Sequence, residues 1–241
     1  MQHDGVLIVD QLPGTVTVPQ PLLSGRDTSP EALAPARGRA WLGKRAVDVV
    51  LSLVMLVVCL PLFLLVAVAV KLTSPGPVFF HQRRVGRGGK DFPMLKFRTM
   101  TVGSEDRLRS DPTLQELFLT GDHKIPSHLD PRITAVGRVL RRMSLDELPQ
   151  LLNVLSGHMS IVGPRPVERS QFLRDYVDYE SAYLAVRPGL TGLWQVSGRS
   201  TVQFPERAEL DSHYLRTCGP WIDAKIILRT PLVVFTGLGA D

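Results

Sequence analysis

Residues 46–70 read AVDVVLSLVMLVVCLPLFLLVAVAV, and the organisation of the chain follows from how this stretch is disposed. After Asp48 it runs 22 residues without a charge. As a straight helix that is about 33 Å, against a bilayer core of about 30 Å. Pro61 interrupts the run, because its ring has no amide hydrogen to give and presses on the carbonyl of Val57. The arms on either side would be roughly 18 Å and 14 Å long, each too short to span. Both flanks are basic: Arg37, Arg39, Lys44 and Arg45 precede the run, and Lys71, Arg83, Arg84, Arg87 and Lys90 follow it. Positive residues favour the cytoplasmic side, so a single crossing would strand one cluster. A helix over about 46–72 that enters, breaks at Pro61 and returns satisfies both. A kinked single span is the alternative, since Pro is tolerated where neighbouring helices re-satisfy the freed carbonyl. A core helix would not carry so long an uncharged run. A cleavable leader would not begin about 45 residues in, without a small-residue cleavage site.

Outward from this stretch, the 241-residue chain leaves about 170 residues beyond Lys71, ample for one core. The net charge is +5 and the pI near 9.5. With basic residues gathered beside an apolar run, anionic lipid and phosphorylated substrates explain them better than nucleic acid. No zinc-finger, basic-zipper or RNA-binding pattern is present, so nucleic acid is not expected as a partner. Cys59 lies in the apolar run and Cys218 in a late loop, which fits a reducing compartment without a disulfide. Six scattered histidines lack metal-ligand spacing.

Residues 1–40 are rich in Pro, Gly, Ser and Thr and read as a disordered tail, with brief strands conceivable at Val6–Val9 and Thr15–Val18. Ser74-Pro75-Gly76-Pro77 stops the apolar helix. Val78–Phe80 and Met94–Phe97 predict a hairpin around Gly86–Gly89, carrying Arg83, Arg84, Lys96 and Arg98. Those four form either a solvated basic face, which spacing favours, or a phosphate cradle. Asp111-Pro112 opens a helix with Leu114, Leu117 and Phe118 on one face. Helical spacing recurs in Ile133–Met143 and again in Leu145–Leu155, closed by Ser156-Gly157. Ser160–Val162 reads as a strand, Arg169–Val186 as a helix, Leu193–Val196 as extended and Pro205–Leu215 as a helix. Trp221–Phe235 sets apolar residues beside Lys225 and Arg229, which suits an interfacial helix or a core one. The expected fold is α+β and mainly helical. It is a monotopic membrane protein with a Pro-broken re-entrant helix, a small β-hairpin and interfacial amphipathic helices, as one domain over 41–241.

Asp146 and Glu147 follow Arg141 and Arg142 at a helix start. Ser144-Leu145-Asp146-Glu147 has capping-box spacing, with Glu147 reaching back to the Ser144 amide, and on its own that reading suffices. The arginines favour a second reading, in which ionised carboxylates at a helix N-terminus act as nucleophile or metal ligand. Arg165 and Arg187 each sit in a rigid Pro/Gly turn, a platform for a guanidinium fork that matches phosphate. Together these features point to a phosphorylated substrate handled at a bilayer surface.

The segments KRAVDVVLSLVMLVVCLPLFLLVAVAVKLTSPGPVFFHQRRVG, KFRTM, DPRIT, RRMSLDELPQLLNVL, MSIVGPRP and RPGLTGLWQVSGR stand in the order seen in bacterial sugar transferases. From Lys44 to about Gly237 the chain resembles the small monotopic phosphoglycosyl transferases of that family. The resemblance implies transfer of a sugar 1-phosphate from a UDP-sugar to undecaprenyl phosphate, releasing UMP and starting exopolysaccharide, capsule or O-antigen synthesis. It implies Asp146 as nucleophile and Mg2+ ligand, Glu147 as its dyad partner, and Mg2+ as cofactor. Arg141, Arg165, Arg187, Lys96 and Arg98 would bind substrate, and Pro61 would be the helix break. The expected location is the cytoplasmic face of the bacterial inner membrane, with membrane lipid as a partner and a homodimer as one assembly open to it. Larger members carry four spanning helices and a further domain ahead of this unit, so the chain resembles their catalytic unit alone.

Two positions depart from the family pattern. Leu60 precedes Pro61 where many members have Ser, and His158 stands where Asp is usual. The segment from Asp106 to Pro131 resembles members that handle hexose 1-phosphates such as glucose or galactose. Two other classes of function remain to be discriminated. A non-catalytic scaffold would keep its function with Asn in place of Asp146, and an ordinary glycosyl transferase would release UDP in place of UMP.

Overall fold

The computed structural model describes residues 39–120 and 125–236. The two short strands considered in the N-terminal tail lie outside the described residues. The apolar run forms helices α1 (Arg39–Val58) and α2 (Leu60–Thr73), bent by 64° from one another. The bend has a local cause. The amide of Cys59 still reaches Met55 O at 2.8 Å and that of Phe63 reaches Cys59 O at 2.8 Å, while Pro61 between them has no hydrogen to give Val57. Among the described residues no single helix is long and apolar enough to cross a membrane, but the bent pair taken together passes that test.

Both ends of the pair are tied to one body. At the base of α1, Lys44 Nζ lies 2.5 Å from Asp223 Oδ2, and Arg45 donates to the carbonyls of Val154 and Leu155 at 2.6 and 2.9 Å. Asp48, buried, accepts from the Ile161 amide at 3.0 Å. At the far end of α2, Arg98 donates to the carbonyls of Pro75 and Ser74 at 2.9 and 2.6 Å. Gly76 lets the guanidinium pass: its φ is +112°, and a Cβ there would lie 2.3 Å from Arg98 Nη1. Between these anchors Val50, Val54, Val57, Leu64, Leu65 and Val68 are all more than half exposed.

The hairpin consists of β1 (Phe79–Val85) and β2 (Asp91–Phe97), antiparallel, with Phe79 opposite Phe97 and Val85 opposite Asp91. It is longer than the apolar ends alone predict, because its middle, His81 to Arg84, is polar and hides the alternation. Phe63 of α2 packs its ring 4.8 Å from Phe97 and 5.9 Å from Phe79, and Val66 and Val70 join Phe97 in a buried cluster. Helices α3 (Ser104–Ser110) and α4 (Pro112–Thr120) follow, the second capped by Asp111 Oδ1, which accepts from the amides of Thr113 and Leu114. Helix α5 (Ala135–Arg142) is capped by Thr134 and packs Leu140 against α2.

The face expected to run from Leu145 to Leu155 is split into a 3₁₀ turn, Leu145–Glu147, and helix α6 (Gln150–Leu155). Pro149 causes the split, since it has no amide to give Leu145. Asn153 of α6 bridges to β2 like a peptide group, accepting from the Leu95 amide and donating to Pro93 O, each at 2.8 Å. Strand β3 (Ser160–Val162) pairs in parallel with β4 (Gly189–Thr191). The two backbones approach so closely that a Cβ at Gly189 would lie 2.2 Å from Gly163 N.

The segment expected as one helix from Arg169 to Val186 is α7 (Arg169–Asp175), a 3₁₀ turn and α8 (Glu180–Ala185). The break follows Tyr176, whose ring packs on Phe172, Tyr183 and Phe204 and takes the backbone out of helical geometry (φ −119°, ψ 12°). The stretch expected as extended, Leu193–Val196, is helical instead, α9 (Leu193–Ser197), and the strand lies just before it. Leu193 and Trp194 are buried in either geometry, so a four-residue apolar run does not reveal its period. Helices α10 (Glu206–Thr217) and α11 (Pro220–Thr236) close the central core, which gathers Leu151, Val154, Met159, Val162 and Trp194. Trp221, Lys225, Leu228 and Leu232 lie exposed along one face of α11, with Lys225 over the Trp221 ring. Cys59 and Cys218 are free.

Candidate active site

The site begins where α5 ends. Arg141, in its last turn, donates from Nε to Thr99 Oγ1 at 2.9 Å. Three residues on, Ser144 adopts the left-handed conformation (φ 55°) and swings the chain into the 3₁₀ turn that bears Asp146 and Glu147. The capping box that the spacing allows is not formed. Ser144 makes no side-chain cap bond, its Oγ accepts from Arg199 Nη2 at 2.8 Å, and the Glu147 carboxylate turns to Lys96.

Lys96, on β2, places Nζ 2.9 Å from Glu147 Oε1 and 3.8 Å from Asp146 Oδ2. The two neighbouring carboxylates therefore differ. Burial raises both, but around Glu147 the Lys96 ammonium, Arg165 and Arg199 outweigh it and hold the group at about 2. Asp146 is 7% exposed, and burial lifts its carboxyl above the ordinary range despite the pull of Lys96 and Arg141.

Arg165 follows β3, its guanidinium 5.4 Å from the Trp194 ring centre and its carbonyl accepting from the Tyr183 hydroxyl at 2.9 Å. Arg84, on β1, is drawn down to about 10 by burial and by Arg165 beside it. It donates to Gln82 Oε1 at 2.6 Å and lies 3.6 Å from Glu168. Lys96, Arg84, Arg141, Arg165 and Arg199 thus meet around Asp146 and Glu147. With Glu168 counted, and the mutually paired Asp130 and Arg132 beside Arg141, the cations still outnumber the carboxylates. Such a surplus of positive charge in a half-buried site favours a ligand carrying several negative charges, as a diphosphate does.

The bacterial sugar transferase family model matches residues 39–237. The chain belongs to the bacterial sugar transferase family. It is 42% identical over 205 residues to the exopolysaccharide production protein ExoY of Sinorhizobium fredii, covering 83% of this chain and 89% of that one. It is 44% identical over 203 residues to the undecaprenyl-phosphate galactose phosphotransferase of Salmonella typhimurium, covering 82% of this chain and 41% of that one. With the UDP-glucose:undecaprenyl-phosphate glucose-1-phosphate transferase of Escherichia coli it shares 40% identity over 210 residues, 84% of this chain and 42% of that one.

In this sugar transferase, not every arginine expected at the site reaches it. Arg187 donates from Nε to Gly157 O at 2.7 Å, past the C-terminal end of α6, among Arg87, Arg45 and Asp48. There it binds a carbonyl of the turn that follows α6, whereas Arg165 sits toward the opposite end of the same helix, beside the dyad. Arg98 caps α2 and so belongs to neither reading of the hairpin's basic face, while Lys96 and Arg84 do converge on the carboxylates. Pro61 marks the bend, on a different part of the molecule.

Among the described residues no group of three or more His, Cys, Asp and Glu could hold a metal ion. The adjacent carboxylates of Asp146 and Glu147 nevertheless fit Mg2+, which takes one or two carboxylates and fills its remaining positions with substrate phosphate and water. Arg199 is the site residue that sequence spacing does not single out. Gly198 before it marks a turn, and Arg199 closes the segment RPGLTGLWQVSGR, but neither says where the side chain goes.

Proposed function

We propose that this sugar transferase is a polyprenyl-phosphate phosphoglycosyl transferase working at the cytoplasmic face of the bacterial inner membrane. It moves a hexose 1-phosphate from a UDP-sugar to undecaprenyl phosphate and so initiates exopolysaccharide, capsule or O-antigen synthesis. The observation that carries the reading is the buried Asp146 beside Glu147, whose carboxylate Lys96 meets at 2.9 Å, with Arg84, Arg141, Arg165 and Arg199 around the pair. Its relatives support the substrate class, one being an undecaprenyl-phosphate galactose phosphotransferase and another a UDP-glucose:undecaprenyl-phosphate glucose-1-phosphate transferase.

Arg165 and Arg84 hold the diphosphate, and Arg141 steadies Asp146. A carboxylate oxygen of Asp146 attacks the phosphorus that bears the sugar. The bond from that phosphorus to the bridging oxygen breaks, and UMP leaves with the electron pair. A phosphate oxygen of the polyprenyl acceptor then attacks the same phosphorus, forming the lipid diphosphosugar and releasing the Asp146 carboxylate. Mg2+, when bound by Asp146 with Glu147, supplies charge neutralisation for the diphosphate. Lys96 holds Glu147 ionised throughout.

The membrane reading rests on energetics. Burying a Val or Leu side chain is worth about 1.5–3 kcal/mol, so six half-exposed ones forgo roughly 5–9 kcal/mol in water. That rivals the whole stability of a typical domain, about 5–15 kcal/mol. The two anchored ends of the helix pair favour a re-entrant wedge over a crossing. The test is purified protein in lipid nanodiscs with a panel of UDP-sugars, undecaprenyl phosphate and Mg2+, following nucleotide release. UMP release that is lost with Asp146→Asn is expected; UDP release, or activity retained by Asp146→Asn, overturns the reading.

A further inference from the structure

Ser144 and Arg199 are the two residues other than glycine with positive φ among the described residues, at 55° and 53°. They lie 55 positions apart, yet they bond to each other, Arg199 Nη2 donating to Ser144 Oγ at 2.8 Å. Left-handed backbone costs an ordinary residue of order 1–3 kcal/mol and persists only where its surroundings hold it. Here each strained turn holds the other. The turn at Ser144 leads directly into Asp146 and Glu147, while the turn at Arg199 follows Gly198 behind the buried Trp194.

The other arm of the guanidinium is equally informative. Arg199 Nη1 is buried and has no hydrogen-bond partner among the described residues. Leaving a charged donor buried and unpaired is costly, so such a group is normally matched by something. Around it lie Glu147, Asp146 and Arg165, the same groups that define the site.

We propose that Arg199 is a phosphate ligand of the sugar transferase that also positions the dyad. Nη1 takes a phosphoryl oxygen of the nucleotide diphosphate, while Nη2 holds Ser144 and with it the turn carrying Asp146. The two arms have separable consequences: removing the charge weakens nucleotide binding, whereas removing the Ser144 hydroxyl leaves binding intact and slows the chemistry. This rests on the function proposed above, and the test keeps the two apart.

The test measures UDP binding by calorimetry, with Mg2+, to the full chain in nanodiscs, beside turnover with a UDP-sugar. Arg199→Gly suits it, because glycine accepts φ 53° without strain and the turn keeps its shape. Expected are UDP affinity weakened about 10- to 100-fold, the worth of a charged hydrogen bond, and partial recovery in Arg199→Lys. Ser144→Ala should keep UDP affinity within about threefold, while kcat falls about tenfold or more. Should Arg199→Gly unfold, Arg199→Gln, which keeps a donor without the charge, decides in its place. UDP affinity unchanged in whichever variant folds overturns the ligand role, and unchanged kcat in Ser144→Ala overturns the positioning role. Failure of the wild-type protein to bind UDP at all would instead strike the proposed function.

Discussion

The Lys96 ammonium sits 2.9 Å from Glu147 and 3.8 Å from Asp146, so β2 gives its cation to the second carboxylate of the dyad and only its fringe to the first. Glu147 is thereby fixed as an anion, and Asp146 keeps a basicity above that of an ordinary carboxylate. A more basic carboxylate is the better nucleophile as long as the pH keeps it ionised.

That division predicts an acid limb. The rate of UMP release should fall as pH drops through the raised value of Asp146, a limb displaced upward from the ordinary aspartate value of 3.8. Lys96 pulls Asp146 down, so Lys96→Met should move the limb further up and cost about 100-fold in kcat near neutrality. A pH–rate profile of both proteins checks the sign. A limb that moves down would contradict the arrangement.

Arg98 serves the helix pair. In Arg98→Leu the carbonyls of Ser74 and Pro75 lose their donors, at about 1–3 kcal/mol each. Denaturation of the nanodisc-bound protein should register a loss of about 2–6 kcal/mol. Arg187→Leu should likewise act on stability, leaving KM for the UDP-sugar within about twofold, whereas Arg165→Leu should raise that KM tenfold or more.

A wedge that returns places both flanks on one side. With the native cysteines replaced, single cysteines at Gly43 and Lys90, both exposed, should react with an impermeant maleimide in inside-out vesicles. Neither should react in intact spheroplasts. Labelling of the Gly43 position from outside alone would make the pair a crossing.

Asp211 offers a test by stability. It is buried against the Tyr176 hydroxyl at 3.0 Å, and burial raises its carboxyl to about 8. The folded state therefore holds its proton where the unfolded chain has lost it, so this contribution is complete below about 3.8 and drains away as pH climbs to about 8. Asp211→Asn should flatten the decline in unfolding temperature between pH 4 and pH 8. A decline of unchanged slope would remove Asp211 as its source.

What could be read from the sequence depended on whether the cause was local. The break at Pro61 could be, because a missing amide acts whatever surrounds it. Asp146 and Glu147 could be placed at a helix start, where the structure has a 3₁₀ turn, and the capping box was the natural local reading of Ser144. Nothing near Ser144 reveals that its hydroxyl is taken by an arginine 55 residues away. Arg165 and Arg187 look alike, each beside proline, and only the fold sends them to opposite ends of α6. The hairpin's arginines were a single basic face in sequence; tertiary packing splits them between the dyad and the end of α2.

Lys96 and Phe97 at the end of β2, with Arg98 just beyond it, join distant parts of the molecule. Lys96 serves the carboxylates, Phe97 packs its tilted ring against Phe63 of α2, and Arg98 fastens the end of that helix. A nascent chain whose hairpin has not yet closed on α2 has no ammonium stationed beside Glu147. One short stretch therefore ties the carboxylate pair to the apolar helices, so a change that unseats α2 would be felt at Lys96 as well.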